Sequence, residues 1–79
     1  MSDVGVSVSM AARIVGIEVH TLRYWMREFP DSLKPQRDGG KVRFRSEDVH
    51  VAFTIKRLLR DEMFSVAGAR KYLKSVVNP

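Results

Sequence analysis

Two helix-forming stretches meet at Gly16, and that junction constrains the fold more than any other feature of the chain. Ahead of it, Ser7 or Ser9 is placed to cap a helix running through Ile14, because a serine oxygen accepts one of the amides that a helix leaves free at its start. The glycine permits the left-handed backbone that ends a helix in a tight turn, and Ile17 behind it can dock the turn on a core. From Val19 the apolar positions Val19, Leu22, Trp25, Met26 and Phe29 recur at spacings of three and four, one stripe at about 100° per residue. His20, Arg23, Tyr24 and Arg27 fall on the opposite face, with Thr21 and Glu28 at its margin. Pro30 ends this second helix, since the residue before a proline is pushed out of helical geometry.

A small hairpin is expected next. Lys34-Pro35-Gln36-Arg37 and Lys41-Val42-Arg43-Phe44 flank Asp38-Gly39-Gly40, and Asp-Gly between two extended runs is a strong short-range hairpin signal. A hairpin of this size is marginal alone, so Leu33, Val42 or Phe44 must anchor it to the helices. Ser46-Glu47-Asp48 reads as the start of a third helix, with a capping serine and two carboxylates where the helix dipole favours negative charge. That helix is expected to run to about Glu62. Its apolar residues, Val49, Val51, Ala52, Phe53, Ile55, Leu58, Leu59 and Met63, cover more than one stripe, which predicts a central helix packed on two sides. Ser65 can cap a last helix containing Val66, Ala69, Tyr72, Leu73 and Val76, with Arg70, Lys71 and Lys74 toward the end where cations complement the dipole. Asn78-Pro79 closes the chain.

The expected architecture is therefore mainly α: four helices with a two-stranded antiparallel hairpin between the second and third. At 79 residues there is room for one domain, with its core in residues 7–75. The balance of 44% apolar and 29% charged residues is that of a folding chain rather than a disordered one. No apolar run approaches the roughly 20 residues of a membrane span, and Met1 to Gly5 lacks the pattern of a signal peptide. A cytoplasmic protein without membrane association is expected. There is no cysteine, and His20 and His50 stand thirty positions apart, so neither a metal site nor any other cofactor is expected. Trp25 and Phe53 fall on apolar stripes and read as core residues.

Charge directs the functional reading. Fourteen lysines and arginines against nine acids give a net charge of +5, which favours a polyanionic partner. The cations are also concentrated, with Lys34, Arg37, Lys41, Arg43 and Arg45 lying within twelve positions of the hairpin segment. A short helix, a glycine turn and a second helix with a basic outer face make a helix-turn-helix, the arrangement that sets a helix into the major groove. Leu22, Trp25 and Phe29 would fix that helix on the core, leaving Thr21, Arg23, Tyr24 and Arg27 for base edges and phosphates. The hairpin, following directly, is placed to lie along a phosphate backbone or in a minor groove. Lys56, Arg57 and Arg60 on the third helix and Arg13 on the first can extend the basic surface.

Residues 7–73 resemble the DNA-binding domain of the MerR family of transcriptional regulators. Ala12, Gly16 and Leu22 stand where helix-turn-helix sequences place a small residue, a turn glycine and a core apolar residue. Thr21-Leu22-Arg23-Tyr24-Trp25 looks like the family's TLRYY or TLRYW signature, and Gly39-Gly40 and Phe44-Arg45-Ser46-Glu47-Asp48-Val49 look like its wing tip and third-helix start. Ser65-Val66 and Leu73 are similar to its short fourth helix. The resemblance implies a winged helix-turn-helix that grips double-stranded DNA, commonly as a dimer on a palindromic site. It implies recognition-helix roles for Thr21, Arg23, Tyr24 and Arg27, and wing contacts from Lys41, Arg43 and Arg45. The arginine usual after the residue following the paired glycines is replaced by Val42, and strand alternation would send Lys41 and Arg43 to the opposite face. Glu18 stands where the family often has a capping serine or threonine. Family members continue into a long dimerisation helix and an effector domain, so the expectation is the N-terminal part of a longer, homodimeric regulator, monomeric as this chain alone.

Two other functions fit the same surface: an interaction module that binds an acidic protein partner, and an architectural or excisionase-like DNA-binding factor. An enzyme is not expected, because no nucleophile, base and orienting acid occur in a recognisable arrangement.

Overall fold

The computed structural model describes residues 4–77, so Met1, the start of the Met1 to Gly5 segment and the closing Asn78-Pro79 lie outside the described residues. The elements are α1 (Val8–Val15), α2 (Val19–Glu28), β1 (Gln36–Asp38), β2 (Lys41–Arg43), α3 (Ser46–Lys56), which continues as a π-helical turn over Arg57–Asp61, and α4 (Val66–Val77). The protein is thus mainly helical, a helix-turn-helix followed by a two-stranded antiparallel wing and two further helices.

Of the two candidate caps, Ser7 caps α1: its Oγ accepts from the Met10 amide at 3.1 Å. Gly16 ends the helix in the left-handed region, at φ 83° and ψ 41°, and Ala12 O accepts both from Gly16 N at 2.8 Å and from Ile17 N at 3.0 Å. Two residues later α2 begins, with no side-chain cap from Glu18. The expected stripe is its buried face, since Leu22, Trp25 and Phe29 are all buried and Val19 and Met26 are partly so.

The wing is tighter than the sequence pattern suggested. Asp38 belongs to β1 and pairs with Lys41, leaving only Gly39-Gly40 as the turn. Leu33 and Phe44 anchor it as expected, and Val42 packs partly against the same core. A further anchor comes from the N-terminal segment, which showed no period: Val6 and Phe44 form an antiparallel bridge, N to O at 2.7 and 2.8 Å in the two directions.

Three expectations need correction. Ser46 is the first residue of α3 rather than its cap; the capping position is Arg45, and the buried Asp48 carboxylate accepts from the Arg45 amide at 2.8 Å. This half of a capping box suits the site because an acid at the third helical position, in the first turn, reaches back to the amide of the capping residue. Phe53 is not core: it is 44% exposed, while Ala52, Ile55 and Leu58 carry the buried face of the third helix. Met63 is also exposed, and its positive φ of 58° turns the chain into α4. On α4, Ser65 Oγ accepts from Gly68 N at 3.0 Å and Ala69 and Leu73 are buried, whereas Val76 is exposed and Tyr72 packs its ring edge on Phe64 at 5.7 Å.

Candidate nucleic-acid interface

The outer face of α2 is built by subtraction. Burial of Leu22, Trp25 and Phe29 on one side leaves Arg23, Tyr24 and Arg27 exposed on the other, with Thr21 partly buried at the edge. Tyr24 and Arg27 are one turn apart, and the Arg27 guanidinium lies 5.7 Å from the Tyr24 ring centroid. That contact favours one arrangement of two long side chains that would otherwise sample many.

The wing completes the surface. Because Val42 turns partly to the core, alternation puts Lys41 and Arg43 on the opposite face of β2. An open groove of about 320 Å³ brings these two residues together with Arg23 of α2 and with Ser7 at the start of α1. Three cations from two elements thus line one concavity, where like charges raise the local potential for an anion.

Arg45 stands apart from them. Its Nε is 3.1 Å from Asp48 Oδ2 and its Nη1 is 3.5 Å from Glu47 Oε1, so its guanidinium is turned onto the start of α3. Two cations of the third helix are likewise engaged: Lys56 Nζ donates to Val15 O at 2.9 Å, and Arg57 Nε is 3.0 Å from Glu62 Oε2. Arg13 and Arg60 are exposed. Lys74 lies in the last turn of α4 as expected, and Arg70 and Lys74 also pair with acids at and beyond the end of α2. Arg70 Nη2 meets Glu28 Oε1 at 3.1 Å, and Lys74 Nζ meets Asp31 Oδ2 at 3.3 Å. No local pattern signals such pairs, whose members are separated by more than forty residues.

A larger groove, about 480 Å³, lies between the N-terminal segment, α1 and α3; Val6, Ile14, Phe44 and Val49 line it and no charged side chain does. Its lining is mainly apolar, with Ser46 as the polar side chain. Among the described residues no group of three histidines and acids is placed to hold a metal ion, and no helix is long and apolar enough to cross a membrane.

Comparison with known families agrees with this geometry. The model of the MerR HTH family regulatory proteins matches residues 6–76, from the bridge at Val6 to the last turns of α4. The chain belongs to that family. No curated protein and no solved structure matches it. Membership makes this MerR-family chain a DNA-binding regulatory domain, with α1 and α2 as its helix-turn-helix and β1–β2 as its wing. The family is one of transcription regulators rather than enzymes.

Proposed function

We propose that this MerR-family domain recognises a specific sequence in double-stranded DNA, with α2 in the major groove and the wing on the neighbouring backbone or minor groove. The observation that carries the reading is the groove that sets Arg23 of α2 beside Lys41 and Arg43 of β2 on one open surface. Tyr24 and Arg27, held together across one helical turn, are assigned to base edges, with Thr21 at the edge of the same face. Arg23, Lys41 and Arg43 are assigned to phosphates, which position the protein without reading sequence. Arg45 is assigned a supporting part, because its contacts with Asp48 and Glu47 hold the end of the wing against α3. The chain, 1–79, acts as one domain with its core in residues 7–75 in this account, two copies bind the halves of a palindromic site, and the full regulator is a homodimer.

The test is duplex binding across a salt series. Each phosphate contact contributes about 0.9 to the slope of log affinity against log salt, so Arg23→Ala, Lys41→Ala and Arg43→Ala should each reduce the slope by about that amount. Unchanged slopes would contradict the assignment. An acidic protein partner retained after nuclease treatment, with no duplex binding at low salt, would favour an interaction module instead.

A further inference from the structure

Both helices of the helix-turn-helix end on a carbonyl that accepts from a cationic side chain on a later helix. Lys56 Nζ donates to Val15 O at 2.9 Å, closing α1, and Arg70 Nε donates to Glu28 O at 2.9 Å, closing α2. Arg70 does more than close the helix, since its Nη2 also reaches Glu28 Oε1 at 3.1 Å. One planar guanidinium therefore grips both the main chain and the side chain of Glu28, a two-point hold that a lysine ammonium cannot reproduce in the same geometry. The pair is half-buried, with side-chain exposures of 40% and 33%, so solvent screens it only in part.

This hold supplies what α2 otherwise lacks. Leu22, Trp25 and Phe29 seat the helix along a single stripe, which sets its distance from the core but resists rotation about its own axis only weakly. Its first turn has no side-chain cap. Thr21, Tyr24 and Glu28 are spaced three and four residues apart and so share one edge of the helix. A grip on Glu28 fixes the edge from which Tyr24 and Thr21 project, about one and two turns away.

We propose that Arg70 is a positioning residue for DNA recognition: acting through Glu28, it sets the rotation of α2 and with it the aim of Thr21, Tyr24 and Arg27, without contacting DNA itself. The proposal rests on the reading that α2 meets base edges. Its consequence is a loss of discrimination rather than a general loss of DNA affinity.

The experiment compares wild type, Arg70→Gln, Arg70→Lys and Glu28→Ala on two duplexes, the sequence that wild type enriches from a random pool and a scrambled version. Arg70→Gln should bind the enriched duplex about fivefold or more weakly and the scrambled one within about twofold, since base contacts depend on aim and phosphate contacts do not. Its salt slope should match wild type, and Arg70→Lys, with the charge kept and the fork lost, should resemble Arg70→Gln. Glu28→Ala, which keeps the charge on Arg70 and suits a helix, should show the same selective loss and serves if Arg70→Gln does not fold. Equal weakening on both duplexes, a slope reduced by about 0.9, full rescue by lysine, or wild-type discrimination in Glu28→Ala would each overturn the proposal. Amide exchange without DNA tests the hold separately: faster exchange across residues 25–29 in Arg70→Gln supports it, and unchanged exchange overturns it. If wild type enriches no sequence, the base-reading role of α2 fails, while the exchange result still decides whether Arg70 holds the helix.

Discussion

A methyl group added at Gly5 would sit 2.7 Å from the Phe44 carbonyl oxygen, and the backbone there has a φ of 79°. Both the contact and the conformation oppose any other residue, so Gly5→Ala should destabilise the fold by about 1 to 3 kcal/mol in denaturant unfolding. A change within error would show that the Val6–Phe44 bridge adjusts freely. Phe53 and Trp25 make a paired test of the core. Trp25 is 2% exposed and Phe53 is 44% exposed, so Trp25→Ala should cost about 3 to 5 kcal/mol and Phe53→Ser less than about 1. Comparable losses would return Phe53 to the core. The two residues also show where residue-level reading of the sequence succeeds and stops. On α2 the apolar positions form one stripe, and one stripe has a direction. On the third helix they surround much of the axis, so spacing alone could not tell that Ala52, Ile55 and Leu58 face inward while Phe53 does not.

Elements were legible wherever the signal lies within a turn or two of the chain. The Gly16 turn, the Pro30 stop, the Asp-Gly hairpin and the Ser65 cap all appear where local chemistry puts them. What the sequence did not display depends on partners distant along the chain or on competition between neighbouring caps. Ser46 and Arg45 compete for the start of α3, and the buried Asp48 decides it by accepting from Arg45 N at 2.8 Å and from Arg45 Nε at 3.1 Å. Asp48→Ala should therefore destabilise by about 1 to 3 kcal/mol, because it strips the cap and frees the end of the wing together. DNA affinity should fall with it, as measured by duplex titration at a temperature where the variant stays folded. Unaltered binding would show that the wing keeps its place without the cap. The candidate interface was legible in the same measure: Tyr24 and Arg27 follow from the stripe on α2, whereas the convergence of Arg23 with Lys41 and Arg43, and the diversion of Arg45 onto Glu47 and Asp48, required the packing of separate elements.

At the scale of the whole molecule, one buried cluster joins α1, α2, the wing, α3 and α4, and the basic groove opens beside it. A net charge of +5 gives general attraction to DNA, yet a surface this small makes few contacts and holds a single site weakly. Joining two copies through a flexible linker long enough to span two half-sites should then raise affinity for a palindromic duplex by about 100-fold or more over one copy, without a new contact. No gain would argue against paired half-sites. The central claim is that α2 reads sequence, and it is tested most directly by selecting from a random pool of short duplexes with wild type beside Arg27→Ala and sequencing what each retains. The account predicts a motif that wild type enriches and Arg27→Ala loses in whole or at defined positions; the same motif from both proteins, or salt-sensitive retention without any motif, would contradict it.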